Sequence, residues 1–149
     1  MRVQTTGHFT AADWKERPLG AGGAHPKLAR ASVVNTFTGG IEAADTTCDY
    51  TITYVSAMTG TFAGMEVLRG SLDGREGGFA VEERGSFDPD GTVHCTFEVV
   101  PGSGTGELTG LRGSGGFTAR QGEPSVAYTF DYDYDDDYDR DHDRDHDLG

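Results

Sequence analysis

Three glutamates stand where a carboxyl group could act as a general acid or base. In the segment GFAVEERGSF, Glu83 falls on the same alternating face as Phe79 and Val81, so a strand in that register turns Glu83 inward with the core side chains. Burial raises the pKa of a carboxyl group toward the range that is useful for proton transfer near neutral pH. Glu83 is therefore the first catalytic candidate, and Glu66 and Glu107 are the next two.

Glu66 and Glu107 each also have a purely structural interpretation. Glu66 could form an ion pair with Arg69 or Arg75 on a neighbouring strand, and Glu107 could accept hydrogen bonds from the backbone of a glycine turn. The sequence favours these structural roles over catalytic ones.

A second candidate is the glycine-rich stretch VPGSGTGELTGLRGSGG at 100–116, which invites comparison with phosphate-binding loops. The GxGxxG fingerprint fails because Glu107 or Thr109 stands where the third glycine is needed, and the P-loop lysine is absent. No helix is predicted to follow and hold an anion at its N-terminus. The stretch therefore predicts sheet turns and bulges, and a nucleotide cofactor is not expected.

The C-terminal residues 135–149 form an acidic, low-complexity segment that follows a predicted domain at 1–134. Within it, His142 and His146 alternate with aspartates in DRDHDRDH, a composition that could collect metal ions weakly. The alternative is a solvating tail, because such a polyanion buries too little apolar surface to fold. We expect the tail to be disordered and to hold no defined metal site.

These candidates must be positioned by strands, because short segments rich in Val, Thr, Phe and Tyr recur about every 10 to 14 residues and no long window has helical periodicity. Eight antiparallel strands joined by short turns are best satisfied by closing into a barrel, which removes the exposed edges. The predicted fold class is therefore all-β, an eight-stranded antiparallel barrel. Its predicted strands lie at 5–11, 31–40, 48–58, 60–72, 77–88, 91–102, 106–119 and 125–134.

A barrel of eight strands is wide enough to be filled by side chains or to hold one small ligand. Four aromatic residues could line such a ligand pocket, with simple core packing as the alternative: Trp14, Phe79, Phe97 and Tyr128. The two cysteines, Cys48 and Cys95, are predicted to be small buried hydrophobic residues, with a disulfide as the minority alternative.

The charge of the chain excludes some partners. Ten Asp and two Arg in residues 131–149 supply −8 of the net charge of −13, so the other 130 residues carry only −5. With two lysines in the chain, a clustered basic surface for nucleic acid is not expected. No apolar stretch is long enough to cross a bilayer and the N-terminus lacks the apolar region of a secretory signal, so we predict a cytoplasmic protein without a membrane partner.

Several segments together resemble a bacterial family of unknown function that looks like an allene oxide cyclase barrel. They are VVPGSGTGELTGLRGSGGF (99–117), GSLDGREGGFAVEERGSF (70–87), GHFTAADWKERP (7–18), KLARASVVNTFTGGIE (27–42), FAGMEVLRG (62–70) and AYTFDYDY (127–134). Barrels of this kind include cyclases that fold a reactive apolar substrate in the lumen without a cofactor. The resemblance implies the barrel fold, such a cofactor-free activity and a homo-oligomer.

Three functions remain open on the sequence. The barrel could be an isomerase or cyclase acting on a small apolar molecule, a non-catalytic carrier of a lipophilic ligand, or a structural module with a filled lumen. A lumen cavity of about 300 Å³ or more with one or two buried polar groups would favour a ligand site, and a fully packed lumen would leave only the structural interpretation.

Overall fold

The computed structural model describes residues 2–20 and 22–135 and forms a closed antiparallel barrel in which consecutive strands pair and the last strand pairs with the first. The predicted fold class is therefore confirmed. The strands are β1 (Val3–Leu19), β2 (Lys27–Gly39), β3 (Ile41–Tyr54), β4 (Gly60–Leu72), β5 (Arg75–Phe87), β6 (Val93–Val99), β7 (Leu111–Ala119) and β8 (Val126–Tyr134), with one turn of 3₁₀ helix at Gly106–Leu108. No helix among the described residues is long and apolar enough to cross a membrane.

The first strand is much longer than the segment 5–11 that the sequence predicts. It pairs with β8 only as far as Phe9, and beyond that point it pairs with β2 alone. The strand continues to Leu19 past the start of β8 at Val126, with a bulge around Asp13, which has a φ of 58°. The barrel wall is consequently open between β1 and β8 at this end.

A second bulge, in β3, decides which side chains enter the barrel. Asn35 of β2 pairs with Thr46, yet Phe37 pairs with Ala43, so β3 carries one extra residue at this point. Asp45 takes a φ of 54° there. Because the bulge shifts the alternation by one residue, the odd-numbered positions face inward before it and the even-numbered positions face inward after it.

The two ends of the barrel are packed differently. Around the end where β2 joins β3, large side chains fill the lumen, and Phe79 stacks on Phe130 with ring centroids 6.1 Å apart. Toward the other end, β2 turns the small side chains Ala29, Ala31 and Val33 inward. Small residues on an inward face leave lumen space unfilled, so the cavity lies at this second end.

The glycine-rich stretch closes the packed end of the barrel. The sequence predicts a strand over 106–119, but the first residues of that range form a loop and one turn of 3₁₀ helix. Its loop runs along β5, where the Thr105 N–H donates to the Gly78 carbonyl oxygen at 2.8 Å and the Ala80 N–H donates to Ser103 Oγ at 3.1 Å. Leu108 is fully buried beneath the loop, and β7 begins only at Leu111. The loop thus extends the sheet beyond the short strand β6.

Gly77 is required for this closure, because a Cβ at that position would lie 2.1 Å from the Thr105 carbonyl oxygen. We expect Gly77→Ala to lower the free energy of unfolding by about 1–3 kcal/mol, the usual cost of overpacking. Gly22→Ala is the matched control, since nothing lies within 4 Å of its Cβ position. Urea unfolding of both variants measures the difference, and equal stability of the two would contradict the assigned role of Gly77.

Candidate functional site

The open end of the barrel contains a cavity of about 970 Å³. This volume is larger than the 300 Å³ or so that a ligand site in the lumen requires. Aromatic side chains dominate its wall: Phe9, Trp14, Tyr50, Tyr54, Phe62, Phe87 and Phe117. Such a surface favours an apolar or ring-containing molecule.

Trp14 lies at the mouth of this cavity, where the bulge at Asp13 turns it toward the lumen. Its ring centroid is 6.3 Å from that of Tyr50, and 54% of the residue is exposed. Its indole Nε1–H donates to Glu16 Oε1 at 3.2 Å, and the Tyr54 hydroxyl donates to the other carboxylate oxygen of Glu16 at 2.5 Å. Burial, followed by the bond to Glu16, raises the pKa of Tyr54 to about 12. Trp14 and Tyr54 therefore lie at the mouth of the cavity, and the carboxylate of Glu16 binds both side chains.

Two glutamates meet in the interior below the cavity. Glu66 on β4 pairs with Val81 and Glu83 on β5 pairs with Gly64, so the two side chains occupy diagonal positions on the inner face of adjacent strands. Each is only 3% exposed. The register predicted for Glu83 is thus the observed one, and Glu66 lies beside it, inside the barrel.

Glu66 is held by β2 and β3. The Asn35 side-chain amide donates from Nδ2 to Glu66 Oε2 at 3.0 Å, and the Thr46 hydroxyl forms a short hydrogen bond with the same oxygen. Thr46 Oγ1 is also 3.2 Å from the Asn35 backbone carbonyl oxygen, to which it can donate. When Glu66 is protonated, its O–H can donate to Thr46 while Thr46 donates to that carbonyl, so this neighbourhood accommodates both charge states.

Glu83 is surrounded by donors from β3 and β6. The Tyr50 hydroxyl donates to Oε1 at 3.2 Å, the Cys48 thiol donates to Oε2 at 3.1 Å, and the Cys95 thiol is 3.7 Å from Oε1. Both cysteines are free and buried, as the sequence predicts, so the disulfide alternative is wrong for this structure. Donors from two strands therefore converge on the buried carboxyl group of Glu83.

The two carboxyl groups differ in environment, and this separates their roles. Burial, reinforced by the neighbouring charge of Glu83, raises the pKa of Glu66 from its ordinary value of 4.5 to about 8, and the bonds from Thr46 and Asn35 oppose part of that rise. Burial and then the charge of Glu83 also raise the pKa values of Cys48 and Tyr50. Glu66 therefore carries a proton at neutral pH beside a hydrogen-bonded Glu83, an arrangement suited to acid and base work.

The same cluster offers donor atoms to a metal. Cys48 Sγ and one carboxylate oxygen from each of Glu66 and Glu83 lie within 4.8 Å of one another, a thiolate and carboxylate set that could bind a divalent ion. Each of these groups also takes part in side-chain hydrogen bonds within the barrel. Hydrogen bonds from the protein thus satisfy both carboxyl groups, and the arrangement also suits a proton shared between Glu66 and Glu83.

A small chamber of about 20 Å³ lies against the carboxyl pair. Both glutamates line it, whereas neither lines the large cavity. Three residues line both spaces and form the partition between them: Phe9, Asn35 and Phe117. The chamber has room for about one water molecule, so the pair lies one side chain away from the open cavity.

The other site residues predicted from the sequence do not line the large cavity. Phe79, Phe97 and Tyr128 line the small chamber and belong to the packed half, where the Tyr128 hydroxyl donates to the Thr38 carbonyl oxygen at 3.0 Å. Glu107 is exposed at the packed end. Its Oε1 accepts the Glu76 backbone N–H at 3.1 Å, which favours its structural interpretation.

Glu66 has no ion pair with Arg69 or Arg75 among those the structure describes; its partners are uncharged groups and Glu83. His142 and His146 lie outside the described residues.

Sequence reasoning missed Asn35, Thr46 and Tyr50. Asn35 had a signal, because it alternates with Val33 and Phe37 and is therefore a polar residue on a core-facing strand position. Thr46 and Tyr50 had a similar signal, because both alternate with Cys48, but the bulge at Asp45 ends that alternation toward Ala43.

Comparisons with known proteins agree with this architecture. The family model described as "Protein of unknown function (DUF3224)" matches residues 5–132. A crystal structure of a DUF3224 protein of unknown function from Shewanella oneidensis MR-1 is similar, with 29% sequence identity, a TM-score of 0.70, and coverage of 91% of this chain and 99% of that one. Among curated proteins, none matches the chain. Because the family model covers most of its length, this chain belongs to the DUF3224 family.

Proposed function

We propose that the open half of the barrel binds a small, largely apolar molecule and that the protein acts on it as a cofactor-free isomerase or cyclase. The observation that carries this proposal is the buried pair of Glu66 and Glu83, which one layer of side chains separates from an aromatic cavity of about 970 Å³. A packed lumen, which the structural interpretation requires, is found only in the other half.

In this mechanism the cavity supplies orientation and the carboxyl pair supplies proton transfer. An apolar wall holds a flexible or reactive substrate in one conformation and excludes water from it. Glu83, held by the Tyr50 hydroxyl, is the base, and protonated Glu66 is the acid. Passage of a proton between the pair and the ligand requires Asn35 to shift at the partition or a water molecule in the small chamber.

A non-catalytic carrier is the second candidate, and the partition is the observation that favours it. Because Asn35, Phe9 and Phe117 separate the pair from the large cavity, a ligand could bind there without contacting either carboxyl group. The two functions share the binding step and differ in proton transfer.

The binding step has a direct test with the neutral fluorophore N-phenyl-1-naphthylamine. We expect Ala11→Trp, which introduces a large side chain at the cavity wall, to weaken the affinity for this probe at least tenfold. Ala63→Trp, on the outer face of β4, is the matched control and should bind like the unchanged protein. Fluorescence titration measures both; equal affinity in the two variants would place the probe outside the lumen and contradict the proposal.

A further inference from the structure

The side-chain amide of Asn35 is only half satisfied. Asn35 is 3% exposed, and its Nδ2 donates to Glu66, but its carbonyl oxygen Oδ1 has no hydrogen-bond partner among the described residues. Buried polar atoms in folded proteins nearly always find a partner, so an exception beside a cavity points to a group that arrives from outside the chain.

The orientation of this amide is fixed by its neighbours. Its nitrogen faces Glu66 Oε2 and donates to it at 3.0 Å, and when Glu66 is protonated the Thr46 hydroxyl can accept the hydrogen bond from the Glu66 O–H. Oδ1 therefore points away from Glu66. Asn35 lines both the large cavity and the small chamber, so the residue stands at the boundary between the two spaces.

The surroundings restrict what can meet this oxygen. Phe9, Val33 and Phe117 on the cavity wall offer it no donor, and the Tyr50 hydroxyl hydrogen is already given to Glu83. A ligand must therefore bring the donor itself. A negatively charged group is disfavoured at this depth, because the carboxylate of Glu83 lies close behind the partition.

We propose that Asn35 Oδ1 is the specificity-determining acceptor of the lumen, and that the ligand is a neutral apolar molecule whose buried end carries a hydroxyl or N–H group. Phenols and enols are the substrate class that this geometry favours. The inference rests on the proposed function, because it requires a ligand in the large cavity, and it adds which end of that ligand enters first. A hydroxyl on Oδ1 is then separated from Glu66 by the Asn35 amide alone.

The test compares 2-naphthol, which can donate a hydrogen bond, with 2-methoxynaphthalene and naphthalene, which cannot. We expect the unchanged protein to bind 2-naphthol about tenfold more tightly than either of the others at pH 7, because a buried acceptor discriminates strongly against a ligand that leaves it unpaired. In Asn35→Leu the preference should disappear. Thr47→Leu, an exposed residue on the outer face of β3, is the matched control and should keep it.

The outcomes separate this inference from the proposed function. Equal affinities for the three compounds in the unchanged protein would overturn the role of Asn35 while leaving binding in the lumen intact. Failure of all three to bind would overturn the proposed function together with the inference. If Asn35→Leu does not fold, the preference within the unchanged protein and a shift of the Asn35 side-chain amide NMR signal on addition of 2-naphthol, but not of naphthalene, decide the question.

Discussion

In Glu66→Gln, the free energy of unfolding is expected to depend far less on pH between 5 and 8 than it does in the unchanged protein. The pKa of Glu66 is raised from 4.5 to about 8 in the folded state, chiefly by burial, so between these values the folded chain holds a proton that the unfolded chain has released. Stability from this group is complete below pH 4.5, falls as the pH rises and is lost above about pH 8. From pH 5 to pH 8 the loss is on the order of 4 kcal/mol, at about 1.4 kcal/mol for each pH unit.

Glutamine removes this dependence because it resembles the protonated carboxyl group. Its carbonyl oxygen can accept the hydrogen bonds from Asn35 and Thr46, and its amide can donate toward Glu83. The pKa values of Cys48 and Tyr50 are raised by burial and by Glu83, so neither group ionises in this interval. Neither group therefore contributes to the slope between pH 5 and pH 8.

Urea unfolding at several pH values between 5 and 8.5 measures the effect as the difference between the two proteins. Glu98→Gln, an outward carboxyl group on β6, is the matched control and should keep the slope of the unchanged protein. Parallel stability curves for the unchanged protein and Glu66→Gln would show that Glu66 is ionised throughout and would remove the acid from the proposed mechanism.

The fold could be predicted from the sequence because the patterns that indicate it are local. Alternation in VHCTFEV turns Cys95, Phe97 and Val99 inward, as observed, and the glycine turns separate eight such segments. The same alternation correctly turns Glu83 inward. Strand ends were less accessible: β1 runs on to Leu19 through a bulge, and bulges depend on pairing with a neighbour that a single segment does not reveal.

Only part of the site could be predicted, because alternation within one strand does not reveal the neighbouring strands. Alternation identifies Glu83 from its own strand, but the partners that determine its chemistry come from strands distant in sequence. Tyr50 and Thr46 both lie on β3, and the bulge in that strand sets which of its positions face the carboxyl groups. The proximity of Glu66 to Glu83 follows from the β4–β5 register, which the sequence does not state.

Glu83→Gln is expected to slow proton transfer strongly while leaving ligand binding unchanged. A neutral carbon acid such as 2-tetralone tests this without knowledge of the natural substrate, because exchange of its α-hydrogens for deuterium in D₂O requires only a base at the ligand. A positioned general base contributes about 100-fold or more to such a step. The unchanged protein should accelerate the exchange, followed by NMR, and Glu83→Gln should lower the rate about 100-fold.

The control is Glu82→Gln, because Glu82 neighbours Glu83 on β5 but faces outward. It should exchange 2-tetralone as fast as the unchanged protein, and all three proteins should bind N-phenyl-1-naphthylamine equally. If the unchanged protein binds the fluorophore and yet exchanges 2-tetralone no faster than Glu83→Gln, the pair performs no proton transfer on cavity ligands. The partition of Phe9, Asn35 and Phe117 would then be a closed floor, and the carrier function would replace the isomerase.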